Sequence, residues 1–142
     1  MGFESQRYTA TEPIILFTYQ GKLNNEVFRH ALDMNAHYIE ELGEPIYIIA
    51  DVRNLETTFS DMLHIMQEAR QDRPGSVHDE RIAMLAFVGS SPFIKMYRDT
   101  MLNRGTAYDM TIYDTLEEAV EVMRIAIKMN KGKDGSISQQ VE

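Results

Sequence analysis

The residues best placed for chemistry lie in two short stretches, each directly after an apolar run. Asp51 follows Ile46–Ala50, and Arg53, Asn54, Thr57, Thr58, Phe59 and Ser60 come soon after it. A carboxylate at the end of a buried run suits acid–base work, because ligands of open α/β sheets sit beyond the strands' carboxyl ends. No second acid stands at a spacing that pairs with Asp51, so its expected role is to organise the loop by accepting hydrogen bonds from nearby N–H groups. The second stretch is Gly89-Ser90-Ser91-Pro92, after the apolar run Ile82–Val88. Serine at a cap with proline at the first helical position marks a helix start, whose free N–H groups can receive an anion. It is not a nucleophile elbow, because the Gly-x-Ser-x-Gly pattern is absent, and no Gly-Lys-Ser/Thr follows to make a phosphate-binding loop.

The four histidines, His30, His37, His64 and His78, are the remaining candidates. His30 and His37 lie on one helix face, and Asp61, His64 and Glu68 share the outer face of another. Exposed carboxylates and imidazoles in this pattern are more often solvated than metal-bound, so no metal site and no cofactor is expected.

Those stretches must be positioned by strands and helices, and the spacing specifies most of them. Arg7–Ala10 suggests a short first strand. Pro13–Gln20 has the β-branched and aromatic bias of a strand, with proline harmless at its start. Asn24 or Asn25 caps a helix carrying Val27, Ala31, Leu32, Tyr38, Ile39 and Leu42, and Gly43 closes it. Pro45–Val52 is nearly all apolar, as expected of a strand covered on both faces. Arg53–Phe59 is expected to be a loop. The helix after it is capped by Ser60 or Thr58 and has the apolar stripe Phe59, Leu63, Met66 and Ala69. Arg73-Pro74-Gly75-Ser76 breaks that helix, and Arg81–Val88 is another buried strand. Ile94, Tyr97 and Met101 line the helix begun at Pro92, and Asp109–Tyr113 is the last strand. Asp114, with Glu117 three residues on, caps a final helix facing inward with Leu116, Ala119, Val120, Met123 and Ile127. Residues 1–129 form the domain, and residues 130–142, rich in Gly, Ser and Gln, are expected to be a flexible polar tail.

Composition narrows the function. The chain has 142 residues, enough for one domain with its own core. It contains no cysteine, which removes disulfides, thiolate metal sites and cysteine nucleophiles, and suits a cytoplasmic location. A net charge of −8 opposes binding to phosphate backbones, so no nucleic-acid partner is expected. Its apolar runs are far too short to cross a bilayer, and the first residues lack the basic-then-apolar pattern of a signal peptide.

The element order β-β-α-β-α-β-α-β-α implies an α/β domain: a largely parallel mixed sheet of four to five strands with about four helices. In that order, in Ile46-Tyr47-Ile48-Ile49-Ala50-Asp51-Val52-Arg53-Asn54-Leu55 with the helix after it, and in Asp114-Thr115-Leu116-Glu117-Glu118-Ala119, the chain resembles the STAS domain. The likeness runs from about Tyr8 to Met129, toward bacterial proteins grouped with the sporulation anti-sigma factor antagonist and with lipid-binding SEC14-type domains. Counting from Asp51, Ser60 falls on the phosphorylatable serine of STAS antagonists, where this chain has Phe59-Ser60-Asp61-Met62. The resemblance implies a non-enzymatic regulatory module of a bacterial signalling system that binds another protein, a regulator or kinase, or itself as a homodimer. Ser60, with Thr57 and Thr58 beside it, is the candidate phosphorylation site. Asp51, Arg53, Asn54, Phe59, Gly89, Ser90 and Ser91 are the candidate contacts. The SEC14-like side implies an alternative, a binder of small apolar ligands or lipids.

Overall fold

The computed structural model describes the backbone of residues 3–141 and the side chains of residues 3–131. Five strands form one sheet in sequential order. They are β1 (Phe3–Arg7), β2 (Ile14–Lys22), β3 (Ile46–Glu56), β4 (Ile82–Val88) and β5 (Asp109–Tyr113). β1 is antiparallel to β2, and every later pair is parallel. The connections are α1 (Asn25–Leu42), α2 (Phe59–Ala69) and α3 (Pro92–Arg104), with α4 (Leu116–Val141) last.

Strand order dictates the layering. Each parallel crossover moves one strand in the same direction, and right-handed crossovers then place α1, α2 and α3 on one face. Only α4, which leads to no further strand, is free to cover the other face. The core divides accordingly. Ile15, Phe17, Ile48, Ala50 and Phe87 pack with Ala31, Met62, Ile65 and Tyr97. Ile14, Leu16, Ile49, Ala86 and Val88 pack with Ala119, Val120 and Met123 of α4. Ile49 and Ile14 are fully buried, and each such side chain contributes about 1.5–3 kcal/mol.

Several local expectations agree with the structure. The Asn24 side chain accepts from Val27 N–H at 2.9 Å, and Ser91 caps α3 by accepting from Ile94 N–H at 3.2 Å, with Pro92 at the first position. Others are corrected. The first strand is Phe3–Arg7, not Arg7–Ala10, because Phe3 stacks on Tyr19 and packs at a tilt against Phe17, each at 5.5 Å, and fixes the pairing earlier. The cap of α4 is Thr115, not Asp114. Its hydroxyl accepts from Glu118 N–H at 3.2 Å, one residue later than the expected frame. The segment after Asp51 is strand as far as Glu56 rather than loop. β2 continues beside it, pairing Gln20 with Asn54 and Lys22 with Glu56 after an irregularity between Thr18 and Gln20. α2 buries Met62, Ile65 and Ala69, and leaves the expected core residues Phe59 and Leu63 at 55% and 43% exposure. α4 runs from Leu116 to Val141. The expected flexible tail falls almost wholly on side chains outside the described residues.

Candidate functional site

The carboxyl ends of the parallel strands gather the candidate residues, but on opposite faces of the sheet. Register places Asp51 in a row with Thr18, Val88 and Tyr113, next to the row Leu16–Ile49–Ala86–Thr111. Side chains two apart on a strand share a face, so Asp51 and Arg53 both lie on the α4 side. The Arg53 guanidinium grips Asp51 with two bonds, Nε to Oδ1 at 2.9 Å and NH2 to Oδ2 at 2.7 Å. Arg53 N–H also donates to Oδ1 at 3.2 Å. These bonds hold the Asp51 carboxyl below its ordinary range. Both oxygens of the buried carboxylate accept from Arg53, so the pair latches the end of β3.

Gly89 completes the latch. Its φ of +101° is glycine territory, and a Cβ there would lie 2.8 Å from Arg53 Cγ and 3.1 Å from Arg53 Cα. Its N–H donates to the Tyr113 carbonyl at 2.9 Å, which ties β4 to β5. Glu117 at the start of α4 adds a favourable field at Arg53. Ser90 is exposed beside this group, and Asn54 is exposed on the strand extension.

The other candidates occupy the α1–α3 side, at the start of α2. Thr58 is the cap, accepting from Asp61 N–H at 3.1 Å. Ser60 is therefore the second helical residue, exposed and not needed to cap the helix. Thr57 is half-buried before it. Phe59 and Leu63, four residues apart, extend one apolar strip along the outer face of α2, with Ser60 between them in sequence.

Some groups were not foreseen. Asp79 and Arg81 repeat the Asp-x-Arg fork of Asp51 and Arg53 at the opposite end of the sheet. Asp79 Oδ1 accepts from Arg81 Nε at 3.0 Å, and Oδ2 from Arg81 NH2 at 2.9 Å and from Gly75 N–H at 2.8 Å. The shared spacing was a usable signal. Tyr19, Tyr97, Tyr108 and Asn35 meet around a cavity of about 70 Å³ beneath α1–α3, and no local spacing announces it. Among the described residues, no group of three or more His, Asp or Glu is arranged to hold a metal ion. No described helix is long and apolar enough to cross a membrane.

Comparison with known proteins adds the fold. No family model matches the chain, and no curated protein matches it. Among solved structures, it is similar to an uncharacterized protein of the DUF3478 family with a SpoIIAA-like fold, from Shewanella loihica PV-4. The TM-score is 0.58 and the identity 13%, over 85% of this chain and 91% of that one. It is also similar to the anti-sigma factor antagonist SpoIIAA in its unphosphorylated form, with TM-score 0.57 and 12% identity over 86% of this chain and 97% of that one. The likeness is one of fold: the chain has a SpoIIAA-like α/β fold.

Proposed function

We propose that this chain is a non-enzymatic regulatory module of a bacterial cytoplasm that docks another protein at the start of α2, with Ser60 as its switch. The observation that carries the reading is the Phe59–Leu63 strip, 55% and 43% exposed on a helix whose Met62, Ile65 and Ala69 face is already buried. Exposed apolar pairs rimmed by polar groups are typical of contact surfaces. Ser60 is exposed one residue after Phe59, beside the strip. A phosphate there would add about −1.5 to −2 charge at a helix N-terminus, where unpaired N–H groups favour it. The SpoIIAA structure of the same fold is described as an unphosphorylated form, which supports a phosphate switch as the question to ask of Ser60. A partner of different sequence is favoured over a second copy, because a net charge of −8 on each chain opposes self-association.

The lipid-carrier alternative has less support. The cavity of about 70 Å³ is far below the roughly 300 Å³ at which pockets for drug-sized ligands begin. An enzymatic reading also lacks support, since both oxygens of the best-placed carboxylate, Asp51, are engaged by Arg53.

The test uses a photo-crosslinking residue at Leu63, and at Met129 on α4 as a control, in cells of the source organism. A single protein captured at Leu63 and not at Met129 is then purified and titrated. Phe59→Ala with Leu63→Ala is expected to weaken binding at least tenfold, and Ser60→Asp to change affinity where Ser60→Ala does not. Equal affinity of the wild type and the double variant refutes docking at α2. Equal affinity of the two serine variants refutes the switch.

A further inference from the structure

The cavity beneath α1–α3 contains more polarity than a packing defect needs. It lies between the sheet and three helices, with Met62 and Ile65 of α2 in its wall. Tyr19 comes from β2, Tyr97 from α3, Tyr108 from the turn before β5 and Asn35 from α1. All four are more than nine-tenths buried. The tyrosine hydroxyls of Tyr38 and Tyr47 find partners in Ser5 and Asn130. Those of Tyr19, Tyr97 and Tyr108 make no hydrogen bond among the described residues, yet none of the three is sealed off from a water-sized space. The Asn35 amide donates to the Gly75 carbonyl at 3.0 Å, while its buried Oδ1 has no partner. A sealed polar atom left unpaired is costly, and Asn35 Oδ1 is the one such atom among the described residues that line the cavity, while the three phenol oxygens open onto its space.

Chemistry and size define what fits. No charged side chain lines the cavity, so it offers no counter-ion to an ionic ligand. Burial pushes the three phenols above their ordinary range, with neighbouring tyrosines adding to it at Tyr97 and Asp79 and Tyr19 adding to it at Tyr108, so they remain neutral donors at physiological pH. A cavity of about 150 Å³ takes benzene, so about half that volume takes roughly three to five non-hydrogen atoms. We propose that this cavity is a binding site for a small neutral molecule of that size. Its one oxygen would hydrogen-bond the tyrosine cluster and its short apolar body would face the aliphatic wall, as in a short alcohol or amide. This site is independent of docking at α2, and either can fail without the other.

The test is a methyl NMR titration of the full chain with 1-propanol as the oxygen-bearing probe and xenon as an apolar probe. Saturable shifts at the Ile48, Ile65 and Ile94 methyls are expected for both. Tyr97→Phe removes only an oxygen and is expected to weaken 1-propanol about fivefold while leaving xenon unchanged; Tyr108→Phe is the second variant should the first fold poorly. Three results would overturn the proposal: non-saturating shifts spread over surface methyls, unchanged 1-propanol affinity in folded variants, or decanoate saturating the same methyls at lower concentration. Bound water seen by water–protein cross-relaxation, with no saturable 1-propanol shift, would reduce the site to a structural water cluster and also overturn it.

Discussion

Replacing Asp79 by asparagine isolates one ion pair and gives it a pH signature. The Arg81 guanidinium beside Asp79, with N–H groups of Gly75 and Arg81 pointing at the same carboxylate, holds its pKa at about 2 against an ordinary value of 3.8. A group whose folded pKa is depressed stabilises the fold fully above its unfolded pKa. That contribution is lost as pH falls through the folded value. The window therefore runs from about pH 4 down to about pH 2. The shift corresponds to at most about 2.5 kcal/mol. Arg81 is half-exposed, so solvent screening reduces the part to be measured to about 1 kcal/mol. Asparagine also turns an amide N–H₂ toward donors, and the buried Gly75 N–H loses its acceptor, which adds about 1 kcal/mol or more at neutral pH.

Urea unfolding followed by circular dichroism suits the measurement, since the chain has no tryptophan. Asp79→Asn is expected to be about 2 kcal/mol less stable than wild type at pH 7. The gap narrows by about 1 kcal/mol between pH 5 and pH 2, and about four-fifths of that narrowing is complete by pH 2.5. Asp51 and Glu12 are also held below their ordinary range and titrate nearby. They do so in both proteins, so they cancel in the difference. A gap that stays constant, or widens as pH falls, would refute the assignment of the loop's stability to this carboxylate.

Four further substitutions probe the scaffold. Gly75 has φ +83°, and a Cβ there would lie 2.6 Å from the Leu32 carbonyl on α1, so Gly75→Ala should cost roughly 2 kcal/mol or more and lower the melting temperature measurably. Thr58→Ala should cost about 1 kcal/mol in urea unfolding, while Ser60→Ala should stay within about 0.5 kcal/mol, because Thr58 and not Ser60 caps α2. Met123→Ala should cost about 2–5 kcal/mol, since Met123 is fully buried between α4 and the sheet. A smaller loss there would mean that α4 is loosely docked.

The element order was legible because each strand of the parallel sheet is a local apolar run and each helix has local start and stop signals. Ile46–Ala50, the Asn24 cap and Ser91-Pro92 all speak through neighbours in sequence. The errors arose where the deciding contact is distant. Arg53 and Asn54 look like loop residues by composition, yet Gln20 and Lys22 on a remote strand extend the pairing past Asp51. The tyrosine cavity draws on β2, α1, α3 and the turn before β5, so each tyrosine taken alone reads as ordinary core.

The misjudged face of α2 is the most informative of these errors. Phe59, Leu63 and Met66 fit a helical stripe, and so do Met62, Ile65 and Ala69. Periodicity alone cannot choose between two stripes on one helix. The sheet takes the second, Met66 packs half-buried at its edge, and Phe59 and Leu63 are left to solvent. A helix apolar on more than one face is normally covered on more than one face, so the ambiguity is itself a reason to look for a partner. Its strength can be bounded. Burying the partly exposed Phe59 and Leu63 recovers at most about 3–6 kcal/mol together. Association costs about 4–15 kcal/mol in lost freedom before any contact is counted. The strip alone cannot hold a partner. A docked protein must also engage the polar groups beside it, and that requirement is what would let one phosphate on Ser60 decide whether it binds.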